Sequence, residues 1–315
     1  MTKIPYYPVS EYYKDTYKEK IYKLPIKLSI TCPNRDGQAG YGGCIFCSES
    51  GGSFENLPSY MTVSDQLDAN RAYIGKRYKA KKFIAYFQNF SNTYMSLDDF
   101  KEVVRACDKD YIVGIAISTR SDCISTDKLE FLRDFRDKTG IDITIELGLQ
   151  TVNYRTLDIL NRGESLADFI WAVTEINKYD FRVCAHLILS LPWDDQRDII
   201  ESARILNALG VKEVKLHSLY VVKGTKLADM YADNEVQMIS KREYQKNVIT
   251  FLRYIDEDTA IARLVGRAPE DETIFCNWDS SWWSIRDEII SFMDDHQIKQ
   301  GDKSERKIFD KIKGE

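Results

Sequence analysis

Short apolar stretches alternate with longer segments of helical periodicity along most of the chain. The strand-like stretches lie at Ile26 to Thr31, Phe83 to Phe87, Ile112 to Ser118, Ile141 to Leu147, Val183 to Leu189 and Val214 to Leu219. Two of the helical patterns begin with a serine followed three residues later by an aspartate, Ser96 with Asp99 and Ser165 with Asp168. These pairs are typical of helix N-termini. Strand and helix alternate at the spacing of βαβ units, which predicts a parallel α/β sheet.

The faces of the fourth predicted strand favour a barrel over a flat sheet. Between positions 141 and 147 the odd residues are Ile, Ile, Ile and Leu, and the even residues are Asp142, Thr144 and Glu146. A strand places these two sets on opposite faces. A doubly wound sheet is apolar on both faces, whereas a barrel can direct polar residues into a ligand-holding lumen. Because the pattern predicts six strands rather than eight, we expect an α/β fold that forms a partial (β/α)6 barrel.

No linker divides the chain into independent domains. It has no internal repeat or low-complexity tract, and its 7 prolines are dispersed. We therefore expect a barrel over residues 26–225, an N-terminal extension over 1–25, and a mainly helical C-terminal extension over 226–315 that packs on the barrel.

Composition and charge exclude several classes of protein. The 315 residues are 43% hydrophobic and 30% charged, with 44 Lys and Arg against 49 Asp and Glu, for a formal net charge of -5. No window approaches the roughly 18 apolar residues of a membrane span, and the first residues are charged rather than built as a signal peptide. These features exclude membrane and secreted proteins and predict a cytoplasmic location. The acidic balance does not favour non-specific nucleic-acid binding, but it does not exclude a structured RNA partner.

Three cysteines stand close together in a glycine-rich loop after the first predicted strand. Cys32, Cys44 and Cys47 form a Cys-x11-Cys-x2-Cys pattern. The chain has 7 cysteines, and in the cytoplasm clustered thiols bind metals more often than they form disulfides. A structural zinc site requires four ligands, and ordinary electron-transfer clusters also use four cysteines. Three thiolates therefore indicate a four-iron cluster with one iron open to a substrate or cofactor.

Seven separated segments, two of them in this loop, resemble the radical S-adenosylmethionine (SAM) superfamily. Within it they resemble the YhcC/YtqA family, a relative of the elongator catalytic-subunit group. The segments that carry the resemblance are CPNRDG, GGCIFC, FQNFSNTY, IELGLQT, NRG, CAHLILSLP and LHSLYVVKGT. They follow one another in order over nearly the whole chain, and each lies at a strand end or in an adjoining loop.

The resemblance implies a [4Fe-4S] cluster held by Cys32, Cys44 and Cys47, with SAM chelated to the open iron. Reduction of the cluster would cleave SAM to a 5′-deoxyadenosyl radical. By position in the family pattern, the predicted SAM-binding residues follow the second, third and fourth strands: Gln88, Asn89, Ser118, Glu146, Gln150 and Arg162. Site residues at the carboxyl ends of strands are also what a barrel predicts. For Glu146 and Arg162 the alternative is an ion pair that only lines the barrel.

Strand alternation adds three candidate catalytic residues that would face the substrate. Lys215 and His217 share one face of the sixth strand, and His186 lies on the fifth. We expect Glu146, Gln150, Lys215 and His217 at the lumen or at its carboxyl-terminal rim. Buried polar side chains are costly without a partner, so Lys215 and His217 are predicted to bind or protonate the substrate. The alternative is that they are hydrogen-bonded residues of the core.

The resemblance also implies a function. The elongator relatives modify wobble uridines of tRNA, which implies a tRNA substrate and a conversion of carboxymethylaminomethyl uridine to aminomethyl uridine. It further implies an electron donor such as flavodoxin or ferredoxin. Two other interpretations stay open: a radical SAM enzyme that acts on a small metabolite or a peptide, and a non-catalytic metal-binding protein with an RNA-binding surface.

Overall fold

The computed structural model describes residues 4–48 and 57–305. The strands are β1 (Ile21–Ile26), β2 (Lys82–Phe87), β3 (Ile112–Thr119), β4 (Asp142–Gln150), β5 (Arg182–Ile188), β6 (Glu213–His217), β7 (Val221–Val222), β8 (Ala260–Arg263) and β9 (Thr273–Phe275). In the described chain, seven of them form one parallel sheet in the order β1-β2-β3-β4-β5-β6-β8, and β7 pairs with β9 in antiparallel orientation. The predicted fold class, an α/β partial barrel, is confirmed.

Helices connect the strands and cover the outer face of the sheet. They are α1 (Val9–Tyr17), α2 (Pro33–Asp36), α3 (Val63–Tyr78), α4 (Leu97–Arg105), α5 (Thr126–Thr139), α6 (Tyr154–Ile159), α7 (Leu166–Asn177), α8 (Gln196–Ala208), α9 (Lys226–Ala232), α10 (Lys241–Tyr254) and α11 (Trp282–Asp295). Ser165 and Asp168 form the predicted capping box at the start of α7, and Ser96 accepts the Asp99 amide at the start of α4. Within the described ranges, none of these helices has the length and apolar character that crossing a membrane requires.

The two faces of the sheet have different surroundings, as the alternation of residues predicts. Ile143, Ile145 and Leu147 are buried in the main hydrophobic core beneath the helices. Glu146 lies on the opposite face, where its carboxylate contacts side chains from five other strands. Lys23 Nζ of β1 lies 4.0 Å from a carboxylate oxygen of Glu213 at the start of β6, which shows that the sheet is strongly curled. The polar face is therefore the lumen of the partial barrel.

The first strand lies earlier in the chain than predicted. β1 spans Ile21–Ile26, whereas the pattern predicts a strand over Ile26 to Thr31. Pro25 is tolerated because β1 is an edge strand that pairs with β2 on one side. Just beyond β1, the backbone of Leu28 exchanges hydrogen bonds with the side chain of Asn89 rather than with a strand. The apolar residues after β1 therefore belong to the connection that leads into the cysteine loop.

A seventh parallel strand extends the sheet beyond the predicted six. β8 pairs with β6, and Arg263 is aligned with Lys215. The sequence pattern predicts a mainly helical segment in this region, because a strand of four residues is too short for its periodicity to be recognised. The N-terminal segment covers the outer edge of β8, where the Ile261 amide donates to the Tyr7 carbonyl at 2.8 Å.

Helix α1 closes the amino-terminal end of the lumen. Tyr13 is buried against Ile84, Tyr86 and Ala116. The guanidinium carbon of Arg182, the first residue of β5, lies 3.5 Å from the centroid of the Tyr12 ring. The lumen therefore opens to ligands at the carboxyl ends of the strands.

Candidate active site

A cavity of about 610 Å³ opens at the carboxyl ends of the strands. Residues from the cysteine loop and from β2, β4, β5, β6 and β8 line it. They include Cys47, Gln150, His186, Lys215, His217 and Arg263. The volume is typical of small-molecule sites, and the position is where barrels place their active sites.

The three cysteines of the predicted cluster lie in the loop that follows β1. Cys44 is buried, and Cys32 and Cys47 are partly exposed. The Cys47 amide donates to the Cys44 carbonyl at 2.9 Å, which closes a tight turn and holds these two residues close together. Cys47 also lines the cavity, so the loop and the lumen form one site.

The connection after α6 anchors the cysteine loop. The Asn161 side chain donates to the carbonyls of Tyr41 and Gly43 at 3.1 and 2.8 Å, and its own carbonyl accepts the Asn34 amide at 2.6 Å. Gly163 has a φ of +61°, and a Cβ there would lie 2.8 Å from the Asn34 Oδ1 atom. Glycine is required because of both the backbone conformation and the close approach. The first and third residues of the NRG motif therefore hold the loop in place.

The middle residue of that motif contacts a cysteine sulfur. Arg162 Nη1 donates to Cys44 Sγ at 3.3 Å, and the Ser91 hydroxyl donates to Cys32 Sγ at 3.7 Å. The carboxylate of Glu164 pairs with Arg162 and orients the guanidinium. Donors directed at sulfur are typical of thiolates that hold an iron-sulfur cluster.

The donor set of this loop fits a [4Fe-4S] cluster better than a zinc ion. Among the residues that the structure describes, the one compact group of three potential metal ligands is Glu146, Cys184 and His186, and it includes none of the loop cysteines. Burial raises the pKa of the Cys47 thiol to about 11, and the adjacent Cys44 adds to the rise. The thiolate therefore needs a metal centre to form readily. Within residues 4–48 and 57–305, no fourth ligand joins the three thiols in a compact group, which matches a cluster that leaves one iron open.

Beneath the cavity, Glu146 lies at the centre of a buried charge network. Its carboxylate accepts hydrogen bonds from Lys23 at 2.5 Å, His186 Nε2 at 2.8 Å, Tyr86 at 3.1 Å and Lys215 at 3.3 Å. Lys215 also donates to the Tyr86 hydroxyl at 2.6 Å. Burial alone would raise the pKa of Glu146, but Lys215 and Lys23 hold it well below its ordinary value. The Ser118 hydroxyl of β3 also donates to this carboxylate at 3.5 Å, so Glu146 is a buried anion that connects six strands.

Both lumen histidines are neutral at neutral pH. Burial lowers the pKa of His186 to about 4, and the charge of Lys215 contributes to the decrease. Burial and the adjacent Arg263 guanidinium hold the pKa of His217 well below its ordinary value. Neutral imidazoles form hydrogen bonds but are poor sources of a proton. The lowered pKa values therefore favour hydrogen bonding to a ligand over its protonation.

The predicted SAM-binding residues fall into two groups. Gln88 and Gln150 line the cavity, and Gln150 has a φ of +67°, a strained conformation for a residue other than glycine. Asn89, Ser118, Glu146 and Arg162 do not line it, and they contact other protein groups. The first group is therefore positioned to touch a ligand directly.

The ion pair considered as the alternative for Glu146 and Arg162 does not form. Glu146 pairs with Lys23 and Lys215, and Arg162 pairs with Glu164. The two residues belong to different parts of the site, the floor of the lumen and the support of the cysteine loop.

Sequence analysis missed three residues of the site: Lys23, Tyr86 and Arg263. Lys23 was missed because β1 lies earlier than predicted, and Arg263 because β8 is too short to be recognised. Tyr86 could have been found, because it lies on the lumen face of a correctly predicted strand and contacts Glu146.

Two family models match the chain. The model described as the Radical SAM superfamily matches residues 29–206, and the model described as the Radical_SAM C-terminal domain matches residues 211–295. The second match includes β8, which completes the sheet.

Several curated proteins are similar over most of their length. The uncharacterized protein MJ0486 of Methanocaldococcus jannaschii is 32% identical over 298 residues, which cover 92% of this chain and 89% of that protein. The uncharacterized protein YtqA of Bacillus subtilis is 30% identical over 299 residues, with 94% and 92% covered. The protein YhcC of Escherichia coli is 28% identical over 285 residues, with 90% of each covered.

A similar fold occurs in the archaeal Methanocaldococcus infernus Elp3 with an N-terminal deletion. The TM-score is 0.66 at 14% identity, and the match covers 89% of this chain and 64% of that chain. This chain therefore spans less than two thirds of that Elp3 chain, and at this identity the similarity concerns the fold.

Proposed function

Because the chain belongs to the radical SAM superfamily and, within it, to the YhcC/YtqA family, we propose that it modifies the wobble uridine of tRNA. The proposed reaction converts a carboxymethylaminomethyl group to an aminomethyl group. The glycine-like carbon would lose a hydrogen atom to the 5′-deoxyadenosyl radical and one electron to the electron carrier, and hydrolysis of the resulting imine would release the two-carbon unit as glyoxylate. The chain is a radical SAM enzyme, and its cofactors are a [4Fe-4S] cluster and SAM. When bound, they supply a 5′-deoxyadenosyl radical that abstracts a hydrogen atom from the substrate. The observation that carries the proposal is that Cys47 and the lumen residue Lys215 line one cavity.

The cysteine loop and the cavity rim would hold the cofactors. Cys32, Cys44 and Cys47 would bind the cluster, and an electron donor such as flavodoxin or ferredoxin would reduce it. Gln88 and Gln150 would contact SAM, since both line the cavity. The remaining predicted residues, Asn89, Ser118, Glu146 and Arg162, would act through the protein groups that they contact.

The lumen would hold the substrate above the buried network. His186, His217 and Lys215 line the cavity. Because the single N–H of neutral His186 is donated to Glu146, its other ring nitrogen is an acceptor, whereas Lys215 is a donor. Lys215 and Arg263 are cations that line the cavity, and Lys215 is already paired with Glu146. The charge of Arg263 therefore favours a substrate that carries negative charge, as RNA does.

Anaerobic reconstitution of the protein tests the enzymatic part of the proposal. The Cys44→Ala variant should lose the cluster, seen by Mössbauer and ultraviolet-visible spectroscopy, and should form no 5′-deoxyadenosine. Cys276→Ala is the matched control, because Cys276 lies outside the cysteine loop. This variant should keep the cluster and should form 5′-deoxyadenosine. Full iron content and 5′-deoxyadenosine formation in Cys44→Ala would contradict the assignment of the cluster.

Nucleoside mass spectrometry tests the substrate. A deletion strain should accumulate carboxymethylaminomethyl uridine in tRNA, and the wild-type gene should restore the aminomethyl product while Cys44→Ala should not. Unchanged tRNA together with 5′-deoxyadenosine formation would instead support a metabolite or peptide substrate. Absence of 5′-deoxyadenosine from the reconstituted wild-type protein would support the non-catalytic alternative.

A further inference from the structure

We infer that Arg263 and His217 form a receptor for a negatively charged group of the substrate. In the substrate class proposed above, on which this inference rests, that group is a carboxylate. Both side chains line the cavity, and they come from the carboxyl ends of neighbouring strands, β8 and β6. Neither β8 nor its arginine is recognisable in the sequence pattern.

Arg263 has no counter-ion within the described ranges 4–48 and 57–305. Its Nη2 atom lies 2.6 Å from His217 Nδ1 and 3.3 Å from His217 Nε2. Its Nε atom is buried and has no hydrogen-bond partner there. A guanidinium keeps its proton in proteins, so the charge persists. The Arg263 side chain is half-buried, and a partly desolvated cation without a counter-ion is costly. An anion bound in the cavity would remove this cost.

The contact with Arg263 also sets the tautomer of His217. A guanidinium only donates hydrogen bonds, so the nearer imidazole nitrogen, Nδ1, must accept. The proton of the neutral ring therefore lies on Nε2. The Nε2–H group and the remaining guanidinium N–H groups are neighbouring donors of the kind that binds a carboxylate or a phosphate.

The two buried carboxylates of the lumen are already paired with other cations. Glu146 contacts Lys23 and Lys215, and Glu213 contacts Arg182. They therefore leave the positive charge at the end of β8 to a ligand.

A carboxylate receptor would recognise the group that distinguishes the proposed substrate from its product. The carboxymethylaminomethyl group ends in a carboxylate, whereas the aminomethyl group ends in an ammonium. Arg263 attracts the first and repels the second, which favours substrate binding and product release. SAM also carries a carboxylate, and the experiments below distinguish these two sources.

Anion binding can be measured without RNA. The holoenzyme with an oxidised cluster and 15N-labelled histidine is titrated with sodium acetate or inorganic phosphate at constant ionic strength. The His217 Nε2 signal, assigned with His217→Gln, should shift and saturate. Arg263→Gln should weaken the apparent affinity about thirtyfold, as expected when one member of a partly buried charge contact is removed. Arg253→Gln is the control, because Arg253 lies on α10 and pairs with Asp302.

Two results of this titration would overturn the receptor. One is a His217 signal that does not respond to either anion, and the other is equal affinity in Arg263→Gln and the wild type. If Arg263→Gln fails to fold or to load iron, the same titration is carried out with Arg263→Lys, which keeps the charge but loses the planar pair of donors. The receptor predicts that Arg263→Lys binds acetate more weakly than the wild type, and equal affinity would contradict it.

Anticodon stem-loops that carry carboxymethylaminomethyl or aminomethyl uridine test the source of the anion. Arg263→Gln should raise the KM for the first RNA about thirtyfold and should change the Kd of SAM far less. An equal loss of SAM affinity would assign the receptor to SAM and overturn the inference. If the wild type does not convert the RNA, the proposed function fails, and the anion titration still decides whether the receptor exists.

Discussion

The contact between Arg162 and Cys44 links the NRG motif to the redox properties of the site. The guanidinium donates to the sulfur at 3.3 Å and is oriented by Glu164. A positive donor at this position stabilises negative charge on the thiolate and on the cluster that the thiolate holds. At the residue scale, this contact gives Arg162, in the connection after α6, a role in the site although its side chain does not line the cavity.

Arg162→Gln should therefore make the cluster harder to reduce. Reduction adds a negative charge, and loss of the cationic donor should lower the midpoint potential by on the order of 50 mV. A redox titration followed by electron paramagnetic resonance measures the potential, with iron content as a check on cluster loading. Arg133→Gln is the control, since Arg133 pairs with Asp134 on the surface. Equal potentials for Arg162→Gln and the wild type would disprove this role.

The depressed pKa of His186 predicts a dependence of stability on pH. The folded value of about 4 lies below the ordinary value of 6.5, so the unfolded chain takes up the proton first as the pH falls. The stabilisation is complete above pH 6.5 and is lost towards pH 4, by up to about 3 kcal/mol. Urea unfolding at several pH values should show a smaller loss for His186→Gln than for the wild type. Parallel pH profiles of the two proteins would contradict the shift.

At the scale of elements, the edge of the sheet at β8 is held by the two ends of the described chain. The Gln300 side chain is buried, and its Oε1 atom accepts the Tyr7 amide at 2.8 Å. Its Nε2 atom donates to the carbonyls of Asp256 and Thr259 at 2.7 and 2.8 Å. One amide thus joins the N-terminal segment, the connection into β8 and the C-terminal region.

Gln300→Ala should lower the free energy of unfolding by about 2 to 4 kcal/mol, because it removes three hydrogen bonds to backbone groups that are buried or partly buried. Guanidinium unfolding measures the change. Gln237→Ala is the matched control, since Gln237 is exposed and its replacement should change stability by less than about 0.5 kcal/mol. Equal stability of the two variants would show that the amide does not hold this edge.

At the scale of the whole molecule, one buried carboxylate connects both sides of the curled sheet. Glu146 of β4 contacts Lys23 of the edge strand β1, Tyr86 of β2, His186 of β5 and Lys215 of β6. The floor of the cavity and the curvature of the sheet therefore depend on the same charge. The lumen residues reach their positions through this network.

Glu146→Gln should lower the free energy of unfolding by about 3 to 5 kcal/mol, because two partly buried lysines lose their shared, fully buried anion. Chemical unfolding of the reconstituted protein measures the loss. Glu288→Gln serves as the control, since Glu288 is exposed on α11 and pairs with Lys241. A Glu146→Gln protein of normal stability that binds SAM weakly would instead support a direct contact between Glu146 and the cofactor.

Local pattern was sufficient to predict most of the architecture. The alternation around Glu146 identified the lumen face correctly, and the opposing Ile143 and Ile145 are in the core. Alternation depends only on the geometry of one strand, which is a local property of the chain. The same argument brought Lys215 and His217 to the cavity.

The sequence by itself determined the α/β class, the polar lumen face and the three thiols of one loop. The tertiary structure decided which groups meet, because each decisive contact joins residues that are distant in the chain. Arg162 reaches Cys44 across 118 positions, and Arg263 reaches His217 across 46. Such contacts depend on the curl of the sheet and on a short seventh strand, and neither leaves a periodic signal in the sequence.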